Sequence, residues 1–516
     1  MQKVIMACSM LFVALTVTVS LGPAPTATPT PTKQVPKGTL TVNSAGGLGM
    51  TYLDPHTAID GNAIRINGML YGGLISRDPD AKIVPDLAAK WEVSADVRAY
   101  KFSLDKTAKF CDGAPVTARD IEFSIKRWSS GRKNIYGPEM ARKLDRIEVS
   151  DDHNLTIHMK EPYIAFLDRL VEYLMIVPKA YVEKVGDREF AEKPVGAGPF
   201  KLVRLRGDSF MELEANLEHH RKVPSVKTLK WNYVPENSTR LATLKTGEAD
   251  MIDLLTGVMY QQVKEDTTLG TALSKYERIT HLLFFDLFHQ EVPSPFRDMR
   301  VRQACSLAID RQAICDKIFM GLAEPFGGAV APYQFGYDPS IAQDIEYDVE
   351  KAKKLLAEAG YGGGLKTKIY LMNYPDMMES VAGYLKAIGI DGEQIQIERG
   401  AFSAAFTSRK LTGLGCQDFY WAARSHPGAS IPLQLRTGYP YAIWSTPEID
   451  AAIDAMEADP WNAEKVKSLS RLIARDLPRV ALVATHCAFG IGPKIDYWEP
   501  VSGMPNFFRL EYATLK

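Results

Sequence analysis

The chain has 516 residues, with 61 Lys and Arg against 62 Asp and Glu, and a formal net charge of −1. A composition of 46% hydrophobic and 24% charged residues excludes a disordered or an integral membrane protein. At about 150 residues per domain the length allows about three structural units. So neutral a balance also argues against nucleic acid as a partner, because phosphate binding needs a strong basic excess or stripe.

In chain order, Lys3 precedes an uncharged apolar run over 4–21. Residues 1–22 read as a signal sequence, or as an uncleaved anchor, since such a run nearly spans a bilayer. Cys8 lies too early in it to be a lipidated cysteine. Residues 23–37 are rich in Pro, Thr and Ala and read as an extended linker, with the folded body starting near Gly38. Export is expected.

A first strand is predicted over 39–44, followed by the Gly-rich turn over 45–49. Tyr100, Phe102 and Leu104 alternate with polar neighbours as on a half-buried strand. Thr117 with Asp120 three residues on can cap a helix whose face carries Ile121, Ile125 and Trp128. Strands follow over 155–159, 210–213 and 229–234. A helix starts at Asn237 or Ser238, and short strands follow over 250–254 and 281–287. From Met299 onward helices alternate with strands over 368–371, 394–397, 416–420 and 480–484. That order implies a mostly parallel sheet covered on its faces.

Five cysteines remain beside Cys8, an odd count that leaves at least one thiol unpaired. Cys305 and Cys315, on helical sequence, stand about 15 Å apart, too far for a disulfide. No C-x-x-C, G-x-S-x-G or H-E-x-x-H occurs, so neither a metal nor a catalytic group is expected, and the chain reads as no enzyme. His153 and His158 point to opposite faces of a strand. His219-His220, beside Arg221 and Lys222, reads as exposed. Arg300 and Arg302 oppose a helix dipole, which suggests a tertiary carboxylate partner. Gly196 and Gly198 suit a turn where a side chain would clash or φ must be positive.

An ordered set of segments resembles the family-5 extracellular solute-binding proteins, the oligopeptide-, dipeptide- and nickel-binding receptors of ABC importers. The segments are PDLAAKWEVS (85–94), KFCDGAPVTARDI (109–121), PVGAGPF (194–200), LKTGEAD (244–250), DMRVRQA (298–304), AIDR (308–311) and YDVEKAKKLLAEAGY (347–361). The resemblance implies an α/β, two-lobed periplasmic-binding-protein fold with a hinge of crossing strands. Lobe I would span 38–280, with an extra subdomain over 76–193. Lobe II would span 281–485, and 486–516 would return to lobe I. The implied role is an extracytoplasmic receptor, a monomer without cofactor. It would capture a small polar solute (peptide-like, opine or sugar conjugate) between closing lobes and deliver it to ABC permease subunits. The alternatives are a secreted hydrolase on a similar scaffold, or a binding protein for signalling or chaperoning.

The resemblance also marks a ligand site. Tyr420, Trp421 and Arg424 follow the strand over 416–420, at the end where open α/β sheets hold ligands. In the peptide receptors this loop carries an aromatic and then an aspartate that pairs with the ligand's amino terminus. Here Arg424 stands nearest the acid, in a loop one residue shorter, and an arginine holds carboxylate or phosphate instead. The second contact loop, over 372–378 with Asn373, lacks the basic residue that dipeptide-type relatives place there. Gly47 and Leu48 lie in the third loop. Asp286 takes a position where relatives often carry Asn, to hydrogen-bond ligand or neighbouring backbone. Each assignment has a structural alternative: Trp421 in core packing, Arg424 in solvent or on a structural acid, the glycines serving only as a turn.

Overall fold

The computed structural model describes residues 35–46, 53–57, 61–130, 137–288, 293–341, 345–372, 374–419, 425–439, 441–504 and 508–516. The apolar run over 4–21 lies outside them. Among the described residues no helix is long and apolar enough to cross a membrane.

One eleven-stranded sheet runs through both lobes. At the lobe II end, Leu365–Leu371 pairs in parallel with Ile390–Gln396 and with Leu414–Phe419. At the lobe I end, Lys37–Ser44 pairs in parallel with Val226–Tyr233 and with Met251–Ile252. Helices intervene between these strands in sequence, as Asn237–Lys245 does in lobe I and Pro375–Ala387 in lobe II, which is the crossover that parallel pairing needs. The two parallel blocks are joined through a pair of long antiparallel strands, Gly270–Phe284 and Arg479–Ile491.

These are the crossing strands. Gly270 to Ser274 pair with Ile491 to Cys487, beside the lobe I strand Met251–Ile252, which also pairs with the second crossing strand. Arg278 to Leu283 pair with Thr485 to Arg479, beside the lobe II strand Leu414–Phe419. Between the two halves the register shifts, and Tyr276 takes a φ of 55°, a left-handed conformation that a bulky residue rarely adopts. The backbone therefore bends where the chain passes from one lobe to the other.

A separate four-stranded antiparallel sheet, in the order Ala88–Val93, Ala99–Leu104, Asn154–Met159, Leu144–Asp151, forms the subdomain of lobe I. Phe102, Phe110, Trp128 and Phe166 fill its core. Its helix Ala118–Ser129 starts as the sequence predicts: Asp120 accepts the Thr117 N–H at 2.9 Å. Gly196 and Gly198 do not have positive φ. Each lies so close to the Leu70 backbone that a Cβ would come within 2.2 and 2.4 Å of it, so the close approach is what requires glycine.

Four expectations change. The segment over 281–287 is strand only to Phe284, and Phe285–Phe288 turn into a 3-10 helix. The Asp286 side chain accepts the Gly413 N–H there, which draws the backbone out of the ladder. The strand expected over 480–484 extends from Arg479 to Ile491, because it is buried in both lobes and not just one. Arg302 finds no carboxylate; carbonyl oxygens of Leu477, Phe296, Arg297 and Asp476 hold its guanidinium. His219 is buried and so is the side chain of His220, whose Nε2 lies 3.0 Å from Asp86 Oδ1. The adjacent charges suggested exposure, but Arg221 is itself drawn inward by Asp86 and Glu511.

Cys111, Cys305, Cys315, Cys416 and Cys487 are all free thiols. All but Cys111 are fully buried. Burial pushes the Cys305 and Cys315 thiols up to about 12 and raises those of Cys416 and Cys487 well above the ordinary range.

Candidate functional site between the lobes

Strands from both lobes end at one place. Lys37–Ser44 and Met251–Ile252 deliver Ser44 and Asp253 from lobe I. Leu365–Leu371 and Leu414–Phe419 deliver the loop before Tyr374, and Asp418, from lobe II. The carboxyl ends of parallel strands are where open α/β sheets bind ligands, since loops and helix starts there carry unpaired polar groups.

On the lobe I side Asp253 is fully buried. It accepts the Ser44 hydroxyl at 2.6 Å and the Ala45 N–H at 2.9 Å, and it pairs with Arg65 at 2.6 Å. That network fixes the turn leading into Gly47 and Leu48. Arg65 comes from the helix Gly61–Leu70, whose sequence gave no signal of a site.

On the hinge, Arg278 is shared by two acids. Its Nε lies 3.3 Å from Glu277 Oε1 and its Nη1 lies 3.1 Å from Asp418 Oδ2. Thr280 Oγ1 stands 3.5 Å from Asp418 Oδ1. Burial pushes the Glu277 carboxyl up, against the opposing charges of Arg278 and Arg65. Arg65 of lobe I, the hinge pair Glu277–Arg278, and Asp418 of lobe II are thus one electrostatic group.

Tyr374 completes it. It holds a left-handed φ of 51° at the start of the helix Pro375–Ala387, an outlier of the kind that clusters at binding sites. Burial and the nearby Asp418 charge raise its hydroxyl.

Of the site residues expected from sequence, Asp286 is described and is held by the scaffold. Its Oδ1 accepts the Gly413 N–H at 2.8 Å and its Oδ2 accepts the Ser294 hydroxyl at 2.8 Å. Gly47, Leu48, Asn373, Tyr420, Trp421 and Arg424 lie outside the described residues. The strand ends that carry all three loops nevertheless converge on the cluster just described. Sequence reasoning missed Arg65, Asp253, Glu277 and Arg278. For Glu277 and Arg278 the sequence shows only charges interrupting the segment over 270–280, and Arg65 and Asp253 lie in distant segments.

Residues 82–415, well over half of the chain, match the family model described as "Bacterial extracellular solute-binding proteins, family 5 Middle". The chain belongs to this family. Among curated relatives, the glutathione-binding protein GsiB of Salmonella choleraesuis is 27% identical over 463 residues, covering 85% of this chain and 88% of that protein. Among solved structures, HbpA2 from Haemophilus parasuis superposes with a TM-score of 0.82 at 22% identity, over 93% of this chain and 100% of that one. AgaA from A. tumefaciens R10, solved with agropinic acid, superposes with a TM-score of 0.72 at 22% identity, over 93% and 99%. This family-5 protein has the α/β two-lobed periplasmic-binding-protein fold and is an extracytoplasmic solute-binding receptor of an ABC-type system.

Proposed function

We propose that this family-5 receptor captures a small amino-acid-derived solute whose carboxylates carry the affinity, holds it between the lobes and releases it unchanged to ABC permease subunits. The convergence of strand ends from both lobes on the Arg65–Glu277–Arg278–Asp418 cluster carries the reading of a solute cleft. The solute class rests on the acids. A peptide receptor of this family needs a carboxylate for the ligand's α-amine. Asp253 is engaged by Arg65 and Ser44, Asp418 by Arg278, and Asp286 by Gly413 and Ser294. By the resemblance of the loop, Arg424 stands nearest the family's amine-binding acid, and an arginine there repels an ammonium group and accepts a carboxylate in two parallel hydrogen bonds. Relatives bear names of the same chemistry: glutathione for GsiB, and agropinic acid in the structure of AgaA.

The test is calorimetric titration of the exported protein with glutathione, an opine, and a panel of di- and tripeptides with free or acetylated amino termini. A dicarboxylate solute should bind, and acetylation should leave binding intact. Tight binding of ordinary peptides that acetylation abolishes would overturn the solute class. A receptor also gains about 2.7 kcal/mol of stability at a hundredfold excess of ligand over Kd, so a thermal scan of the same panel checks the calorimetry.

A further inference from the structure

One residue of lobe II divides its polar groups between the two lobes. The Ser425 carbonyl accepts the Phe335 N–H at 2.9 Å. Its N–H donates to Asp168 Oδ1 at 3.1 Å, and its hydroxyl lies 3.0 Å from the same oxygen. Asp168 belongs to the lobe I subdomain, on the helix Phe166–Tyr173, and pairs there with Arg77, whose Nη1 donates to Ser425 Oγ at 2.8 Å. The Arg77 and Asp168 side chains are 0% and 2% exposed.

The neighbouring contacts follow the same division. His426 stacks on Phe335 and bonds Pro460 O at 2.6 Å, which fastens the segment to lobe II. Ala429 belongs to the apolar core of the subdomain, and Gly428 lies against Ile164. The segment also communicates with the hinge. Just before Phe335, the Tyr333 hydroxyl donates to the carbonyl of Tyr276, the left-handed residue of the crossing strand, at 3.3 Å.

We propose that Ser425, seated on the Asp168–Arg77 pair, is an interlobe clasp that biases the ligand-free lobes towards closure. The clasp rests on the two-lobed receptor reading above. Opening the lobes strips Asp168 of two donors and Arg77 of an acceptor. Charge-assisted hydrogen bonds within a buried pair are the strong kind, so the cost falls on the open state. The clasp leaves one bond of Ser425, donated by the Phe335 N–H to its carbonyl, inside lobe II. Removing the Ser425 hydroxyl therefore loosens the closed state without loosening the segment's own attachment.

The experiment is small-angle X-ray scattering of the ligand-free protein as Ser425→Ala, Ser425→Asp and wild type. The hydroxyl deletion should shift the radius of gyration to a larger value. The added carboxylate, facing Asp168, should shift it further, with melting temperatures within a few degrees of wild type. Superimposable scattering curves from folded variants overturn the clasp. Ser425→Ala, at a half-buried position, keeps the test alive if Ser425→Asp fails to fold. Parallel thermal scans with glutathione separate the two readings. Absence of any stabilisation by the solute panel counts against the receptor reading alone, whereas the scattering comparison decides the clasp.

Discussion

Two charge clusters of similar composition do different work. In lobe I, Asp86 accepts from the Gly73 N–H and pairs with His220 and Arg221, and Arg221 also reaches Glu511. Burial alone would raise the Asp86 carboxyl, but Arg221 and His220 hold it down at about 2. Every member belongs to lobe I or to the C-terminal segment packed on it. At the cleft, Arg278 is shared between Glu277 and Asp418, and Glu277 is raised. Those members come from the hinge and from lobe II, with Arg65 of lobe I nearby. A cluster closed within one body fixes that body. One spread over the hinge and both lobes ties their arrangement to the charges held between them.

That contrast breaks most readily at Asp86. Asp86→Ala leaves Arg221 buried without its main partner and should cost about 3–5 kcal/mol of stability, read as a lower urea midpoint, while solute affinity of the folded protein is unchanged. An affinity loss larger than the stability loss would erase the distinction between the clusters. Arg278→Met should do the reverse. Its side chain is 25% exposed, so the stability loss is smaller, about 1–2 kcal/mol, and affinity for the bound solute should fall about tenfold or more by calorimetry.

A pH series sharpens the same comparison. Burial lowers His219 to about 3 and also depresses His281, His426 and His486. A histidine kept neutral in the fold loses stability as pH falls below its ordinary value of 6.5, because the unfolded chain takes up the proton. Asp86 adds to this below 3.8, its contribution vanishing towards 2. The urea midpoint should therefore fall steadily from pH 6.5 downwards, and a flat profile between 6.5 and 4.5 would contradict the assignment.

The smallest effect is at Glu277. A raised carboxyl stabilises below its ordinary value of 4.5, and that stabilisation is lost as pH rises through the folded value. Glu277→Gln should thus raise the melting temperature at pH 7 by the equivalent of about 1 kcal/mol or less and leave it unchanged at pH 4.

Much of this was legible in the sequence, for identifiable reasons. Lobe II alternates helices and strands with clear caps, so the strand expected over 368–371 falls within Leu365–Leu371. The hinge strands were legible only in their lobe II halves. Gly270–Phe284 begins GTALSKYERIT, where Lys275, Glu277 and Arg278 interrupt the apolar period. Its two halves are stabilised by different lobes, and the charges sit at the register shift between them. A periodic pattern reports burial against one layer, and this strand serves two. The cleft cluster was missed for the same reason: Arg65, Asp253 and Arg278 are drawn from three distant segments that share no local signature.

The unpaired thiols impose a condition on how this receptor is made. In the native state the four buried ones exist as thiols, which neither attack disulfides nor oxidise readily, since the thiolate is the reactive form. In an unfolded chain the same groups return to a pKa near 8.5 and lie open to solvent. Outside the cytoplasm, acquisition of structure is then a race against oxidant. A molecule that collapses first hides its sulfur permanently, and one that lingers can cross-link thiols that the fold keeps apart. Slow refolding in air should therefore yield covalent dead ends that a reductant prevents.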